Sequence, residues 1–341
     1  MYDLPHTRTE TEVRDSVRPI GKTLVTGATG LLGRHLVDQL RDRGYAVRVL
    51  VRTLAQKLSF PEDVEVFVGD IRNSEDVDSA VFGCRYVIHA CSTHVYNLPA
   101  KEMWAVNVEG TQHICNAVER HECQKLVFTS TISAMKDQTT TATSDPTLPA
   151  RLRNSLNKRM AEELVISRTK HGLPAVVVNP SFFVGPFDHS PSPFRLWIPL
   201  AIIRPVRYVP SGGFNVLSAS DVARAHVWAL EGGELGKRYP IVGENISLQD
   251  YVAMVNRTVG SSLVPELIPE RLLRSVARGR VFDHYVATLL CQQNYVDASS
   301  CKPTLSRSLA DVVNETVCWF RAHSPLVHFH TLLRYALAHY L

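Results

Sequence analysis

Lys22 to Arg52 reads KTLVTGATGLLGRHLVDQLRDRGYAVRVLVR, and this stretch decides the fold. A short apolar run, Thr23 to Val25, enters a turn carrying Gly27, Gly30 and Gly33. A helical pattern then runs from Leu31 until Gly44 stops it, and a second apolar run follows from Val47 to Val51. The order is strand, glycine turn, helix, strand. One glycine permits the tight turn, one lets the backbone approach a pyrophosphate, and one lets helix and strand pack closely. The pyrophosphate would sit on the helix N-terminus, where unpaired N–H groups point at it. Gly27, Thr29, Gly30, Leu31, Leu32 and Gly33 are therefore the expected dinucleotide cradle. A tight turn without a ligand is the plainer alternative.

The end of the second strand narrows the cofactor. An acidic residue there would accept hydrogen bonds from an adenosine ribose 2′-hydroxyl, whereas an arginine would pair with a 2′-phosphate. This chain places Arg52 there, with Lys57 shortly after. A guanidinium can grip phosphate through two parallel hydrogen bonds, which an acidic residue cannot do. The expected cofactor is NADP(H) in preference to NAD(H).

Outward from this unit, apolar runs and helical patterns keep alternating. Val64 to Val68, Tyr86 to Ala90, Lys125 to Phe128 and Ala175 to Val178 read as four more strands, with helices over Ser74 to Val81, Lys101 to Arg120 and Arg151 to Lys170. Continuous apolar strands separated by helices mean a parallel sheet covered on both faces. The expected class is α/β, a Rossmann doubly wound parallel sheet with a smaller, mostly helical C-terminal substrate lobe. Ligands on such sheets bind beyond the carboxyl ends of the strands. Asp70 and Ile71, Ala90 to Ser92, Ser130 and Thr131, and Asn179 and Pro180 stand at those ends.

Bulk properties agree. The 341 residues, 45% hydrophobic, suffice for one large or two unequal domains. A formal charge of +4, with no basic run, argues against nucleic acid as a partner. Seven scattered cysteines suit a reduced cytoplasmic protein better than a disulfide framework. Met1 to Gly21 is polar, lacks the apolar core of a signal peptide, and is expected to be a mobile leader. No apolar run is long enough to span a bilayer. Leu326 to Leu341 mixes apolar residues with His328, His330, Arg334 and His339, and reads as a helix packed on its own domain or as an amphipathic helix lying on a partner. No metal site is expected: the pair His328 and His330 has no carboxylate or cysteine at ligand spacing. A homodimer stays open.

TGATGLLG at Thr26, GDIR at Gly69, HACS at His89, NVEGT at Asn107, FTST at Phe128, KRMAEE at Lys158, NPSFFVGP at Asn179 and SDVARAH at Ser220 fall in the order and spacing of the extended short-chain dehydrogenase/reductases. The chain resembles that family from about Lys22 to Arg321, and within it looks most like the NADP-dependent ketone reductases. The resemblance implies that Asp70 and Ile71 flank the adenine, Ala90, Cys91 and Ser92 the pyrophosphate and nicotinamide ribose, and Pro180 to Phe183 the nicotinamide face. It places Asn107 where a helix orders the active site. It aligns Thr131 with a catalytic serine or threonine, with Ser92 as a further polar group at the reacting end, and it gives Lys158 the nicotinamide ribose.

One departure is informative. The family places a tyrosine four residues before the lysine, on the same helix face, and that phenol donates the proton. Here the position holds Asn154. An amide can polarise a carbonyl or hold a water, but it is no Brønsted acid near neutral pH. The proton would come from His94 or Tyr96 in the loop after the fourth strand, from a held water, or from a phenol flanking the substrate's own ketone. The last source suits aromatic polyketides, and the chain resembles in this respect the tyrosine-lacking angucyclinone ketoreductases of antibiotic biosynthesis.

Domain boundaries follow: 1–21 leader, 22–180 NADP-binding domain with later segments returning to it, and 181–341 mainly substrate lobe. In the second half, Pro186 to Pro193 and Gly212 to Leu217 read as loops around a cleft, with helices near Leu248 to Val259, Glu270 to Arg278 and Ser306 to Arg321. His94, Tyr96, Ser181, Phe187 and Trp197 are the expected substrate contacts, and Phe182, Phe183, Phe194 and Phe214 are further aromatics able to line a pocket. His189 and His226 have no assignable partner. The expected activity is NADPH-dependent reduction of a small aromatic ketone, the alternatives being a redox-neutral cyclase or dehydratase and a cofactor-sensing protein.

Overall fold

The computed structural model describes residues 20–93, 99–135, 150–188, 196–277, 291–296 and 307–323. The opening unit forms as its sequence dictates: β1 (Lys22–Thr26), α1 (Leu31–Asp42) and β2 (Ala46–Val51). Helix α1 buries Leu32, Leu36, Val37 and Leu40, spaced three and four apart, so one stripe faces the sheet. Then come β3 (Glu65–Val68), α2 (Ser74–Val81) and β4 (Tyr86–His89), with the Asn73 side chain accepting from Glu75 N–H to cap α2. The expected helix over 101–120 is α3 (Ala100–Trp104), a π-helical turn over Ala105–Glu109, and α4 (Gly110–Arg120).

After β5 (Lys125–Thr129), α5 (Ala150–Thr169) and β6 (Ala175–Pro180), the chain enters the lobe through β7 (Phe182–Val184), α6 (Trp197–Ile203), β8 (Tyr208–Val209) and β9 (Gly213–Ser218). It returns to the large sheet through α7 (Ala219–Gly232) and β10 (Arg238–Ile241). The lobe continues with β11 (Glu244–Ser247), α8 (Leu248–Thr258), β12 (Glu266–Leu267), α9 (Glu270–Ala277) and β13 (Gln293–Asn294), and closes with α10 (Leu309–Ala322). Ser308 caps α10, its hydroxyl accepting from Asp311 N–H, so the helix starts later than the sequence pattern suggested.

Seven parallel strands form the main sheet, in the order β10-β6-β5-β4-β1-β2-β3. Strand β6 is buried along its whole length. Val176 and Val178 face the core shared with α1 and α7, while Ala175 and Val177 face the core under α2, α4 and α5. The order reverses direction between β1 and β4, which opens a crevice beyond their carboxyl ends. A third core, around Tyr251, Val255, Val313 and Phe320, supports the lobe.

Of the expected loop Gly212 to Leu217, all but Gly212 belongs to strand β9 (Gly213–Ser218). All six residues of β9 are buried, and β9 pairs with β7, β11 and β13. Gly213 does not turn the chain. A Cβ there would lie 2.6 Å from the Tyr295 ring and 2.9 Å from Ile246 O, so the glycine admits a close neighbour. Phe214 is correspondingly core, packed edge-on against Phe182 and Tyr251.

Candidate active site

The glycine turn is open on one side and packed against protein on the other. Gly27 has φ +71°, and a Cβ on it would come within 2.8 Å of Ala90 O and Cys91 N at the end of β4. A Cβ on Gly33 would lie 2.2 Å from Gly27 O, so helix and turn touch backbone to backbone. Gly30, the N-cap of α1, is exposed, and a Cβ there would meet only Gly27 O at 3.4 Å. Its outer face is open, with the helix N-terminus behind it, as an anionic diphosphate requires. Leu31 and Leu32 are buried and Thr29 half-buried.

Beside it, Arg52 is exposed at the end of β2. Its N–H is held by Gln56 Oε1 at 3.0 Å, and its guanidinium makes no hydrogen bond or ion pair among the described residues. Asp70 is engaged by Arg72 at 2.6 Å. Arg72, with a smaller contribution from Arg52, holds the Asp70 carboxyl below the usual carboxylate range. Ile71 is buried against Gly110, where a Cβ would lie 2.8 Å from Ile71 Cγ1.

The segment after β4 is anchored at both ends. Cys91 N–H donates to Thr26 Oγ1 at 3.3 Å. Asn107, in the π-helical turn, accepts from Thr93 N–H at 2.8 Å and donates to Thr93 O at 2.9 Å. Ser92 is half-buried between these anchors. Burial raises the Cys91 thiol above its ordinary value, against the pull of Lys158 and Arg52.

Across the crevice, Lys158 Nζ donates to Thr129 O at 3.0 Å and lies 5.5 Å from the Phe128 ring. Burial of the ammonium end lowers its pKa to about 8. Glu162, one turn further along α5, is occupied elsewhere: Oε1 accepts from Arg238 Nε at 2.6 Å and Oε2 from Asn179 Nδ2 at 2.7 Å. The same Asn179 amide donates to Thr131 O at 3.1 Å, which ties the end of β5 to β6 and α5. Thr131 is half-buried, its hydroxyl accepting from Ser133 N–H at 3.4 Å. Ser130 is buried, with no hydrogen-bond partner for its hydroxyl among the described residues.

The structure thus gathers Gly27, Gly30, Ala90, Cys91, Ser92, Thr131 and Lys158 along the carboxyl edge of the sheet. Asn154 lies in α5 one turn before Lys158; its side chain is outside the described residues, as are His94, Tyr96, Phe194, His189 and the C-terminal segment Leu326 to Leu341. Pro180 ends β6, and Ser181 follows with its hydroxyl donating to the buried Asn215 Oδ1 at 2.6 Å. Phe183 packs against the α1 and α7 core. Phe187, at φ +72°, sets its ring 5.6 Å from His35 of α1 and 5.8 Å from Trp319 of α10. Trp197 is half-buried, and its Nε1 has no partner among the described residues.

Sequence reasoning missed the Arg238–Glu162–Asn179 linkage and two buried histidines. Glu162 and His226 lay inside quoted motifs, but their partners come from other strands. His226 Nδ1 donates to Val222 O at 2.7 Å, so its Nε2 accepts from the Thr129 hydroxyl at 2.8 Å. Burial lowers its pKa to about 4, and it stays neutral.

Comparison with known proteins agrees with this geometry. Residues 23–242 match the model of the NAD dependent epimerase/dehydratase family, more than half of the chain. The chain is 27% identical, over 265 residues, to the 4-hydroxy-2-methyl-3-oxo-4-farnesyl-3,4-dihydroquinoline-1-oxide ketoreductase of Stigmatella aurantiaca, covering 75% of this chain and 78% of that one. The crystal structure of gox2253 superposes with a TM-score of 0.73 at 27% identity, covering 89% of this chain and 98% of the other. The Bordetella bronchiseptica enzyme WbmF in complex with NAD+ shares the fold with a TM-score of 0.70 at 17% identity, covering 94% of this chain and 98% of the other. Glycine turn, strand order and family match converge: the chain belongs to the NAD-dependent epimerase/dehydratase family, the extended short-chain dehydrogenase/reductases, and is an oxidoreductase-type enzyme of the kind that takes a nicotinamide cofactor.

Proposed function

We propose that this protein is an NADPH-dependent ketoreductase acting on a carbonyl of a small polycyclic aromatic polyketide, with the proton supplied by substrate or water. The observation that carries the reading is Lys158, whose buried ammonium sits on Thr129 O beside Thr131, across the crevice from the glycine turn. A bound NADPH would supply the hydride. Lys158 holds the nicotinamide ribose, and the Thr131 hydroxyl donates to the substrate carbonyl. Asn154 stands in α5 one turn before Lys158, in place of the family's tyrosine. The segment 90–92 and Pro180 to Phe183 would line the nicotinamide end, and Ser181, Phe187 and Trp197 the substrate side.

The guanidinium of Arg52, without a hydrogen-bonding partner among the described residues, is the support for a 2′-phosphate and hence for NADP(H). The Stigmatella relative is by its name a ketoreductase for a 3-oxo group on a fused dihydroquinoline ring, which supports a ring carbonyl of a fused-ring substrate here. No described helix is long and apolar enough to cross a membrane. The six described cysteines are free, as suits a cytoplasmic protein.

Incubation with NADPH and a panel of hydroxyaryl ketones, following loss of nicotinamide absorbance, tests the reading. Oxidation with at least one member is expected. Tight NADPH binding with no oxidation across the panel would favour a redox-neutral cyclase or dehydratase. Asn154→Tyr is the second arm. Little gain is expected if substrate or water provides the proton, and a gain of about a thousandfold, the size of general acid catalysis, would mean the site merely lacks its acid.

A further inference from the structure

His89 is the last residue of β4 and is fully buried. Both its nitrogens are engaged: Nδ1 lies 2.7 Å from Thr26 Oγ1, and Nε2 lies 3.1 Å from Thr111 Oγ1. The directions of these bonds follow by elimination. Thr111 spends its only proton on Asn107 O, at 2.8 Å, so it can only accept from His89, and Nε2 carries the hydrogen. Nδ1 is then an acceptor, and the Thr26 hydroxyl must donate to it. Thr26 Oγ1 in turn accepts Cys91 N–H, and Asn107 grips Thr93 through both ends of its amide.

A single directed chain therefore runs from Cys91 N–H through Thr26, His89 and Thr111 to Asn107, and both ends of the 91–93 segment hang on it. Neither threonine can turn its hydroxyl around without breaking a bond elsewhere in the chain. Burial drives the His89 pKa to about 3, so the imidazole keeps one donor and one acceptor.

We infer that His89 is a positioning residue which, through Thr26 on one side and Thr111 and Asn107 on the other, sets residues 91–93 against the diphosphate and nicotinamide ribose of the cofactor. The role rests on the cofactor reading above. It predicts that breaking the chain harms binding of the dinucleotide but not of its adenosine end, which lies by Arg52 and Asp70, off this chain.

The test titrates the full chain calorimetrically with NADPH, NADH, 2′,5′-ADP and 5′-AMP. His89→Gln keeps a donor toward Thr111 and leaves the Thr26 hydroxyl without its acceptor; Thr111→Val cuts the other half while leaving the imidazole in place; Thr111→Ser restores the hydroxyl. His89→Gln and Thr111→Val should each bind the preferred dinucleotide about tenfold more weakly, the equivalent of one buried hydrogen bond. Their affinity for the matching adenosine nucleotide should stay within about twofold, about 0.4 kcal/mol at most, and Thr111→Ser should bind as wild type. Nitrogen-15 spectra of the imidazoles should report His89 with its hydrogen on Nε2 and His226 with its hydrogen on Nδ1.

Unchanged dinucleotide affinity in both cutting variants would overturn the role, as would a parallel loss of adenosine-nucleotide affinity or a hydrogen on Nδ1 of His89. A wild-type chain that bound neither dinucleotide would bring down the cofactor reading itself, and this role with it.

Discussion

Glu162 lies 3% exposed between two donors, the Nε of Arg238 and the Nδ2 of Asn179, at 2.6 and 2.7 Å. Glu162→Gln keeps the shape but has one acceptor oxygen where two donors point, so one N–H must face another N–H. Arg238, 42% exposed, can swing into water, and the loss is then about one charge-assisted hydrogen bond, ~2 kcal/mol. Arg238→Met should cost more although Arg238 is the more exposed partner, because it strands a buried carboxylate on the Asn179 amide alone. The low end of the range for breaking a buried pair applies, about 3 kcal/mol. Urea unfolding of the two variants, compared at unchanged slope, reads both values. Arg238→Met should be the less stable of the two. The reverse order, or both variants within about 0.5 kcal/mol of wild type, the range of ordinary surface changes, would refute the assignment of Glu162 as a buried carboxylate that depends on Arg238.

Further outcomes follow from the same geometry. Gly33→Ala forces a Cβ to 2.2 Å from Gly27 O and should abolish dinucleotide binding in calorimetry, whereas Gly44→Ala, which meets no atom within 4 Å but has φ +80°, should cost only modest stability and leave binding intact. His226 is held neutral with a pKa of about 4, below the unfolded histidine value, so the unfolded chain binds the extra proton first. Its contribution to stability is full above about pH 6.5 and is lost as pH falls toward 4; the stability gap between wild type and His226→Gln should narrow over that window, and a constant gap would contradict the assignment. Arg52→Ser should weaken NADPH about tenfold or more, the worth of a charge-assisted pair, while leaving NADH unchanged, measured by competition titration.

Much of the fold was legible because parallel strands buried on both faces must be apolar throughout. Each of the six strands read from the sequence has its counterpart among β1 to β6, with ends shifted by one or two residues at most. Beyond β6 that rule failed. Gly212 to Leu217 read as a loop, yet the glycine at 213 lies in a strand and admits the Tyr295 ring, a neighbour far along the chain. The crevice was legible from the glycine spacing and the KRMAEE register of Lys158. Its supports were not, because strand order chooses partners that sequence distance hides: Thr26 meets His89 across 63 residues and Thr129 meets His226 across 97. Glu162 sat in view in its motif, but Arg238 reaches it only because β10 returns to the edge of the sheet after the lobe excursion.

On the function proposed above, a phosphorylated nicotinamide dinucleotide lies across the carboxyl ends of β1 and β4 with its reactive end at Lys158. Equilibrium titration of the full chain with NADPH and NADH, alongside Lys158→Met, checks this placement. Saturable binding of one dinucleotide per chain is expected, tighter for NADPH than for NADH, and weakened in Lys158→Met. Saturable binding of neither dinucleotide by the wild-type chain would contradict it.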